Sequence, residues 1–367
     1  MARIVVFGAT GYTGRLTAEA LVARGERPVL AARSADRVRV LAGELGGLET
    51  AVADVERPET VRALVERGDV LVATVGPFVR YGRPAVEAAV DAGAVYIDST
   101  GEPAFIREVF ERYGPAAARS GAALMTAMGY DWVPGNLAGA LAAERAGPAV
   151  VRVDTGYFLT GSAGMSGGTR ATTAAGLTAP GFAWRDGRIV TERVAKRVRT
   201  FEVDGASRPA VSAGASDHFG IPRFAPGVRE VNAYLGWFDG MSRPLQAFSA
   251  VGSVAMAVPG ARALADVATK RFVKGSTGGP GEEERANSGS HIVAIAYDAG
   301  GNELAEVHLT GVNGYTFTAG MMAWAALRAR TGAVHGPGAL APVEAFGLRE
   351  LEAGAAEAGL AEARSII

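Results

Sequence analysis

The first fourteen residues constrain the fold of this chain more than any other stretch. Ile4-Val5-Val6-Phe7 is a continuous apolar run, followed at once by Gly8-Ala9-Thr10-Gly11-Tyr12-Thr13-Gly14. A strand that is apolar on both faces belongs in a parallel sheet covered on both sides. The three glycines then have separate tasks. Gly8 permits the tight turn out of the strand, Gly11 lets backbone approach a pyrophosphate, and Gly14 lets the next helix pack closely on the sheet. The N-terminus of that helix turns its free N–H groups toward the phosphates. An ordinary strand–helix turn would not need three glycines. The motif therefore predicts a dinucleotide-binding unit, with Gly8, Thr10, Gly11, Tyr12, Thr13 and Gly14 at the cofactor.

Strand and helix patterns keep alternating after it. Helix through about Ala23 is followed by strand Val29–Ala32, helix Asp36–Leu45, strand Ala51–Ala53 and helix Arg57–Arg67. Strand Asp69–Val75, helix Pro84–Ala92, strand Val95–Ile97, helix Pro103–Arg119 and strand Ala122–Met125 complete the series. Repeated strand–helix pairs imply right-handed crossovers and a doubly wound parallel sheet. The texture changes after Gly129. Val150–Leu159, Arg188–Val203, His291–Tyr297 and Glu303–Thr310 read as strands, the last two joined by a hairpin turn at Asp298–Asn302. Pro244–Lys270 reads as helix, Gly275–Ser290 as a polar loop, and Phe317–Arg330 and Leu348–Ala363 as helices. The expected class is α/β: an N-terminal Rossmann domain over residues 1–128 and an inserted α/β domain of mixed or antiparallel sheet over 129–315. C-terminal helices over 316–367 are expected to pack back on the first domain.

Composition narrows the function. With 367 residues and 49% hydrophobic content, the chain can bury a sizeable core. Its 37 basic and 38 acidic residues give a net charge of −1, so no global field favours nucleic acid. Cysteine is absent, which excludes a disulfide scaffold, a Cys-ligated metal and thiol catalysis. The opening residues lack the pattern of a signal peptide, and the expected location is cytoplasmic. The uncharged stretch Pro244–Ala261 reads as a packed helix, with membrane-surface contact as the lesser reading. Nothing in the sequence decides against a homodimer.

The end of the second strand selects the cofactor. An Asp or Glu there would bind the ribose 2′-hydroxyl of NAD. This chain has Arg33 and Ser34, whose guanidinium and hydroxyl suit a 2′-phosphate, so NADP(H) is expected. The competing reading of Arg33 is a surface residue of the loop. Asp54 and Val55 are placed beside the adenine, and Gly76, Pro77 and Phe78 beside the nicotinamide-side ribose; each also reads as a plain loop residue.

Chemistry separates the families that share such a glycine loop. Short-chain dehydrogenases need Tyr-x-x-x-Lys, and none of Lys196, Lys270 or Lys274 has a tyrosine four residues before it. Semialdehyde dehydrogenases need a cysteine nucleophile. Phe7–Gly14, however, resembles the opening of the saccharopine dehydrogenase-like oxidoreductases, which include the trans-acting enoyl reductases. Gly93-Ala94-Val95-Tyr96-Ile97-Asp98-Ser99-Thr100-Gly101-Glu102, Gly129-Tyr130-Asp131-Trp132-Val133-Pro134-Gly135-Asn136, Ser166-Gly167-Gly168-Thr169 and, more loosely, Gly336–Pro342 resemble further stretches of that family. The resemblance implies an NADP-binding Rossmann domain, with Thr100 and Gly101 near the cofactor, and a second α/β domain covering the nicotinamide. It also implies hydride transfer to a C=N or conjugated C=C bond of a small or carrier-bound substrate.

Such a reduction needs a proton at the neighbouring atom. Three candidates are Tyr130 and Asp131, just beyond the sixth strand, and Tyr157, on the first strand of the second domain. Tyr130 also reads as an interface aromatic, and Asp131 reads more readily as a helix cap or loop anchor than as an acid. Ser166–Thr169 reads equally as an anion site or a helix cap. The four histidines form no spaced pair, so no metal site is expected. His291 and His308 are placed facing each other across the hairpin, and His218 is the loop histidine most worth substituting. Phe182, Trp184, Phe219, Phe224, Trp237 and Phe238 either line an apolar cleft or pack the core. Two function classes stay open: an NADPH-dependent reductase, and an NADP-binding sensor or partner protein without chemistry.

Overall fold

A computed structural model describes residues 2–161, 180–237, 241–255 and 278–363. The chain divides into two compact units, one formed by Met1–Val133 with Val312–Leu360 and the other by Pro134–Gly311 with Ala361–Ile367. In the first, β1 (Ile4–Phe7) leads through the glycine turn into α1 (Tyr12–Ala23). The alternation continues with β2 (Val29–Ala32), α2 (Ala35–Glu44), β3 (Thr50–Val52), α3 (Pro58–Arg62), β4 (Val70–Ala73), α4 (Phe78–Tyr81) and α5 (Arg83–Ala92). Next come β5 (Val95–Asp98), α6 (Pro103–Glu108), a π-helical turn at Val109–Tyr113, α7 (Gly114–Ser120) and β6 (Ala123–Met125). All four residues of β1, β2 and β4 are buried, as the apolar runs require. Val5 pairs in parallel with Val29 on one side and Leu71 on the other.

The second unit starts with α8 (Val133–Ala146), whose first residue still belongs to the first unit. It continues through β7 (Arg152–Gly161), β8 (Pro180–Arg185), β9 (Arg188–Arg193), β10 (Val198–Val203), β11 (Ala206–Ala213), α9 (Asp217–Phe224), β12 (Glu230–Leu235), α10 (Ser242–Ala255), α11 (Glu282–Ala286), β13 (Ser288–Tyr297) and β14 (Glu303–Val312). β7 pairs in parallel with β12 and antiparallel with β13, so this sheet is mixed, as expected. Phe158, Phe201, Tyr234, Val293 and Ile295 form a buried cluster on one of its faces.

The chain then returns to the first unit with α12 (Gly314–Arg330), β15 (Gly338–Ala339), α13 (Pro342–Phe346) and α14 (Leu348–Glu357), and ends its regular structure at β16 (Leu360–Glu362). The parallel sheet runs β15-β6-β5-β4-β1-β2-β3, and the mixed sheet runs β10-β11-β12-β7-β13-β14-β16 with β8 and β9 attached through β12. α12 packs on α1 and lies across β1, β4 and β5. Its Phe317, Met321, Met322 and Trp324 are buried, and Trp324 stacks edge-on to Phe346 at 4.8 Å. A Cβ on Gly354 would come within 2.3 Å of the Trp324 ring, so α14 approaches α12 only because that position is glycine.

Several sequence expectations are corrected. Arg188–Val203 is two strands, because the chain turns through Ala195 at φ 54°. Arg57–Arg67 is helical only over Pro58–Arg62. Leu348–Ala363 ends as a strand rather than a helix. β8, β11, β12, β15, α4, α8, α9, α11 and α13 were not anticipated, and α11 falls within Gly275–Ser290, which read as a loop. Pro244–Lys270 is helical as far as Ala255, its remainder lying outside the described residues along with Ser166–Thr169 and Phe238.

Candidate nucleotide site and the carboxyl beside it

The glycine turn closes on itself. Gly8 has φ 90°, a conformation that favours glycine, and its N–H donates to the Ala31 carbonyl at 2.9 Å. A Cβ on Gly14 would sit 2.3 Å from the Gly8 carbonyl oxygen, so α1 can lie this close to β1 only without a side chain there. A Cβ on Gly11 would meet nothing nearer than the Gly8 oxygen at 3.2 Å. Gly11 is the N-cap of α1, no side chain caps it, and the first turn carries no acidic residue. The helix N-terminus is thus left positive and open to an anion. These features fit a dinucleotide pyrophosphate. Tyr12 packs edge-on to Tyr315 at 5.2 Å. The Thr13 carbonyl accepts from the Thr17 hydroxyl.

At the end of β2, Arg33 is exposed and forms no hydrogen bond or ion pair among the described residues. Ser34 caps α2 by accepting from the Arg37 N–H at 3.4 Å. Arg37 was not anticipated: its guanidinium donates to the Thr10 carbonyl at 3.1 Å and so ties the glycine turn to α2. The signal was present as two arginines four apart at a helix start. Asp54 is half-buried and shapes its own turn, accepting from the Glu56 N–H at 3.1 Å, with Val55 half-buried beside it.

After β4, Gly76 is exposed and Pro77 half-buried, whereas Phe78 is buried against Phe105. The buried Glu102 holds this loop. Its carboxylate accepts from the Phe78 and Val79 N–H groups at 2.6 and 3.0 Å. Asp98, at the end of β5, accepts from the N–H groups of Thr100 and Ala127 at 2.9 Å and from the Thr126 hydroxyl at 2.8 Å. It therefore fixes the β5 and β6 loops to one another. Burial raises the Asp98 and Glu102 carboxyls, and these N–H donors pull them back. Neither acid was singled out from the sequence, although both lie in the quoted stretch Gly93–Glu102.

Asp131 sits where these loops converge. A Cβ on Gly101 would lie 2.6 Å from Asp131 Oδ2. Asp131 Oδ1 is buried with no hydrogen-bond partner among the described residues. Burial raises this carboxyl to about 7. A lone carboxyl of that kind, beyond the carboxyl ends of parallel strands, is a candidate for proton transfer. Tyr130 is differently placed. It is buried, its N–H donates to the Thr318 hydroxyl at 2.9 Å, and its ring lies against Gly314 and Phe317.

Tyr157 belongs to a separate network within the second unit. Its hydroxyl accepts from the Gly135 N–H at 2.9 Å and donates to the Asp217 carboxyl at 3.1 Å. Thr155 donates to the same carboxyl at 2.8 Å, and Asn136 donates to the Ser216 hydroxyl. Thr155 and Tyr157 thus lie on the face of β7 that meets the start of α8 and α9. The buried Asp217 is raised to about 7 by desolvation. His218 lies on α9, not in a loop. It is buried against Phe182, accepts from the Ala215 N–H, and is held down at about 4 by burial. His291 and His308 do meet across the hairpin, at 2.8 Å. Among the described residues no group of three potential ligands could hold a metal ion, and no helix is long and apolar enough to cross a membrane.

Fold and glycine turn together define a two-unit α/β protein with a Rossmann nucleotide-binding unit, and residues 8–101 match the family model described as NAD(P)H-binding. In sequence, the chain is 44% identical over 142 residues to a Mycobacterium tuberculosis protein provisionally named a trans-acting enoyl reductase, covering 36% of this chain and 33% of the relative. It is 41% identical over 140 residues to the trans-acting enoyl reductase of Mycobacterium ulcerans, covering 36% and 34%. The matched segment thus spans about a third of the length of these relatives. In structure, the chain resembles saccharopine dehydrogenase (L-Glu forming) from Saccharomyces cerevisiae, with a TM-score of 0.62, 14% identity and 99% of each chain covered. The resemblance drawn from the motifs holds in both respects.

Proposed function

We propose that this protein is an NADPH-dependent reductase that adds hydride to a conjugated C=C bond of a small or carrier-bound substrate, with a C=N bond as the second reading. The observation that carries the proposal is the unpartnered Asp131 carboxyl against Gly101, in the same unit as an uncapped, glycine-bounded helix N-terminus. The trans-acting enoyl reductases similar in sequence favour C=C, and the likeness to saccharopine dehydrogenase keeps C=N in view.

In this reading Gly8, Thr10, Gly11, Tyr12, Thr13 and Gly14 bound the pyrophosphate site, and Arg33 with Ser34 selects the 2′-phosphate. Asp54 and Val55 flank the adenine. Gly76, Pro77, Thr100 and Gly101 border the nicotinamide side, where Asp98 and Glu102 hold the loops rigid; Phe78 acts from below by packing. When bound, the nicotinamide supplies the hydride. Asp131, neutral below about pH 7, donates the proton to the atom next to the one reduced and is left as the carboxylate. Tyr130 and Tyr157 position backbone.

The test is titration with NADPH and NADH, followed by turnover on enoyl and imine acceptors. NADPH should bind more tightly than NADH, and Arg33→Ala should remove the difference by losing about tenfold or more in NADPH affinity. Failure to bind either nucleotide would sink the reductase reading. Binding without turnover on any acceptor would favour a nucleotide-binding sensor.

A further inference from the structure

Side chains alternate along β7, so Arg152 and Asp154 point away from the face on which Thr155 and Tyr157 meet α9 and the start of α8. Parallel pairing sets Glu230 beside Arg152 and Asn232 beside Asp154. With Lys196, Arg197 and Arg199 they border an open cavity of about 490 Å³, large enough for a small organic ligand. It lies wholly within the second unit, toward the opposite end of β7 from Gly161.

Charge is unevenly distributed here. Arg152 and Arg199 share Asp154, the first at 3.6 Å and the second in a direct ion pair. Lys196 at 3.1 Å, Arg197 in a direct pair and Arg185 at 3.6 Å share Glu192, and Arg185 also lies 3.5 Å from Glu230. Among the described residues, five cations therefore meet three carboxylates. The side chains of Asp154 and Glu192 are only 3% and 7% exposed, whereas Arg152, Arg197 and Lys196 are 32%, 31% and 52% exposed. Asp154 and Glu192 are thus sunk beneath Arg152, Arg197 and Lys196, while the third acid, Glu230, is 41% exposed at the rim. Their geometry is fixed in advance: Arg152 lies 4.0 Å over the Tyr297 ring, and Asn232 bridges Asp154 and Arg185 at 2.6 and 2.5 Å. A ligand carrying two negative charges would balance the excess without having to order the site.

We propose that this cavity binds a small organic dianion, a phosphate monoester or a dicarboxylate, at a site separate from the nucleotide turn. The inference does not rest on the reductase reading. The test is calorimetric titration of the full chain at low ionic strength with inorganic phosphate and, separately, with succinate, in the presence of saturating NADP⁺. Binding of phosphate alone would support a phosphate ester as the ligand, and binding of succinate alone a dicarboxylate. Lys196→Gln and Arg152→Gln should each weaken the bound probe by about tenfold. Lys196 is more than half exposed, so its variant tests the charge without threatening the fold. Absence of binding by both probes, or binding that neither cavity variant weakens, would overturn the proposal.

Discussion

Asp131 is the residue whose chemistry departs furthest from its sequence context. Next to Gly101 its carboxyl loses water without gaining a donor at Oδ1, and burial alone lifts it to about 7. The acid form then dominates below pH 7. Reductive turnover limited by this proton should be level below pH 7 and fall about tenfold per unit above it. Asp131→Asn should leave NADPH affinity unchanged and reduce turnover by roughly 10²–10⁴. A pH profile of kcat that keeps its shape in Asp131→Asn would assign the proton elsewhere. The sequence offered Asp131 as one of three candidates, but no local pattern distinguishes a partnerless acid from a capping one. That difference comes from Gly101, thirty positions earlier, in the loop after the neighbouring strand β5.

At the scale of elements, legibility followed locality. The β1–α1 turn, β2 and the first hairpin residues of β13 and β14 were readable because their periodicity and glycines act within a few residues. α9 was not, since Gly220 and Pro222 both disfavour helix and tertiary contacts overrule them. β11 carries Pro209 and β15 is two residues long, so neither shows a strand period. The network that joins α8, β7 and α9 through Asp217 was invisible for the same reason, its members being up to 82 positions apart. This network makes its own prediction. The folded state holds Asp217 near 7 against roughly 4 unfolded. Its folded form therefore binds the proton more tightly, and its contribution to stability is complete below about pH 4 and lost as pH rises through 7. Asp217→Asn mimics the neutral acid. Urea unfolding of this variant should show a flatter stability curve between pH 4 and 7, by up to about 1.4 kcal/mol per pH unit. An unchanged slope would mean that Asp217 titrates normally.

For the whole molecule, the notable fact is that the nucleotide unit is not contiguous. Six strands of its sheet precede residue 134, while α12, β15, α13 and α14 follow residue 311. α12 buries Phe317, Met321, Met322 and Trp324, each worth about 1.5–3 kcal/mol of burial. A chain ending at residue 311 keeps every glycine of the turn and Arg33. It should nonetheless fail to bind NADPH and should lose the cooperative unfolding of that unit, as read by calorimetry. Retained nucleotide binding would show that α12 is dispensable to the sheet.

The same split has a consequence in time. During synthesis the six strands emerge first, and the ribosome must then add the whole of 134–311 before the helix that covers β1, β4 and β5 exists. At about 5–20 residues per second that interval is roughly 10–35 seconds. Throughout it, the part of the parallel sheet that α12 covers stays bare beside α1 while the inserted unit completes itself. An interrupted polypeptide would carry the glycine turn but no covered sheet behind it, so nucleotide occupancy would mark chains whose translation had run past α12.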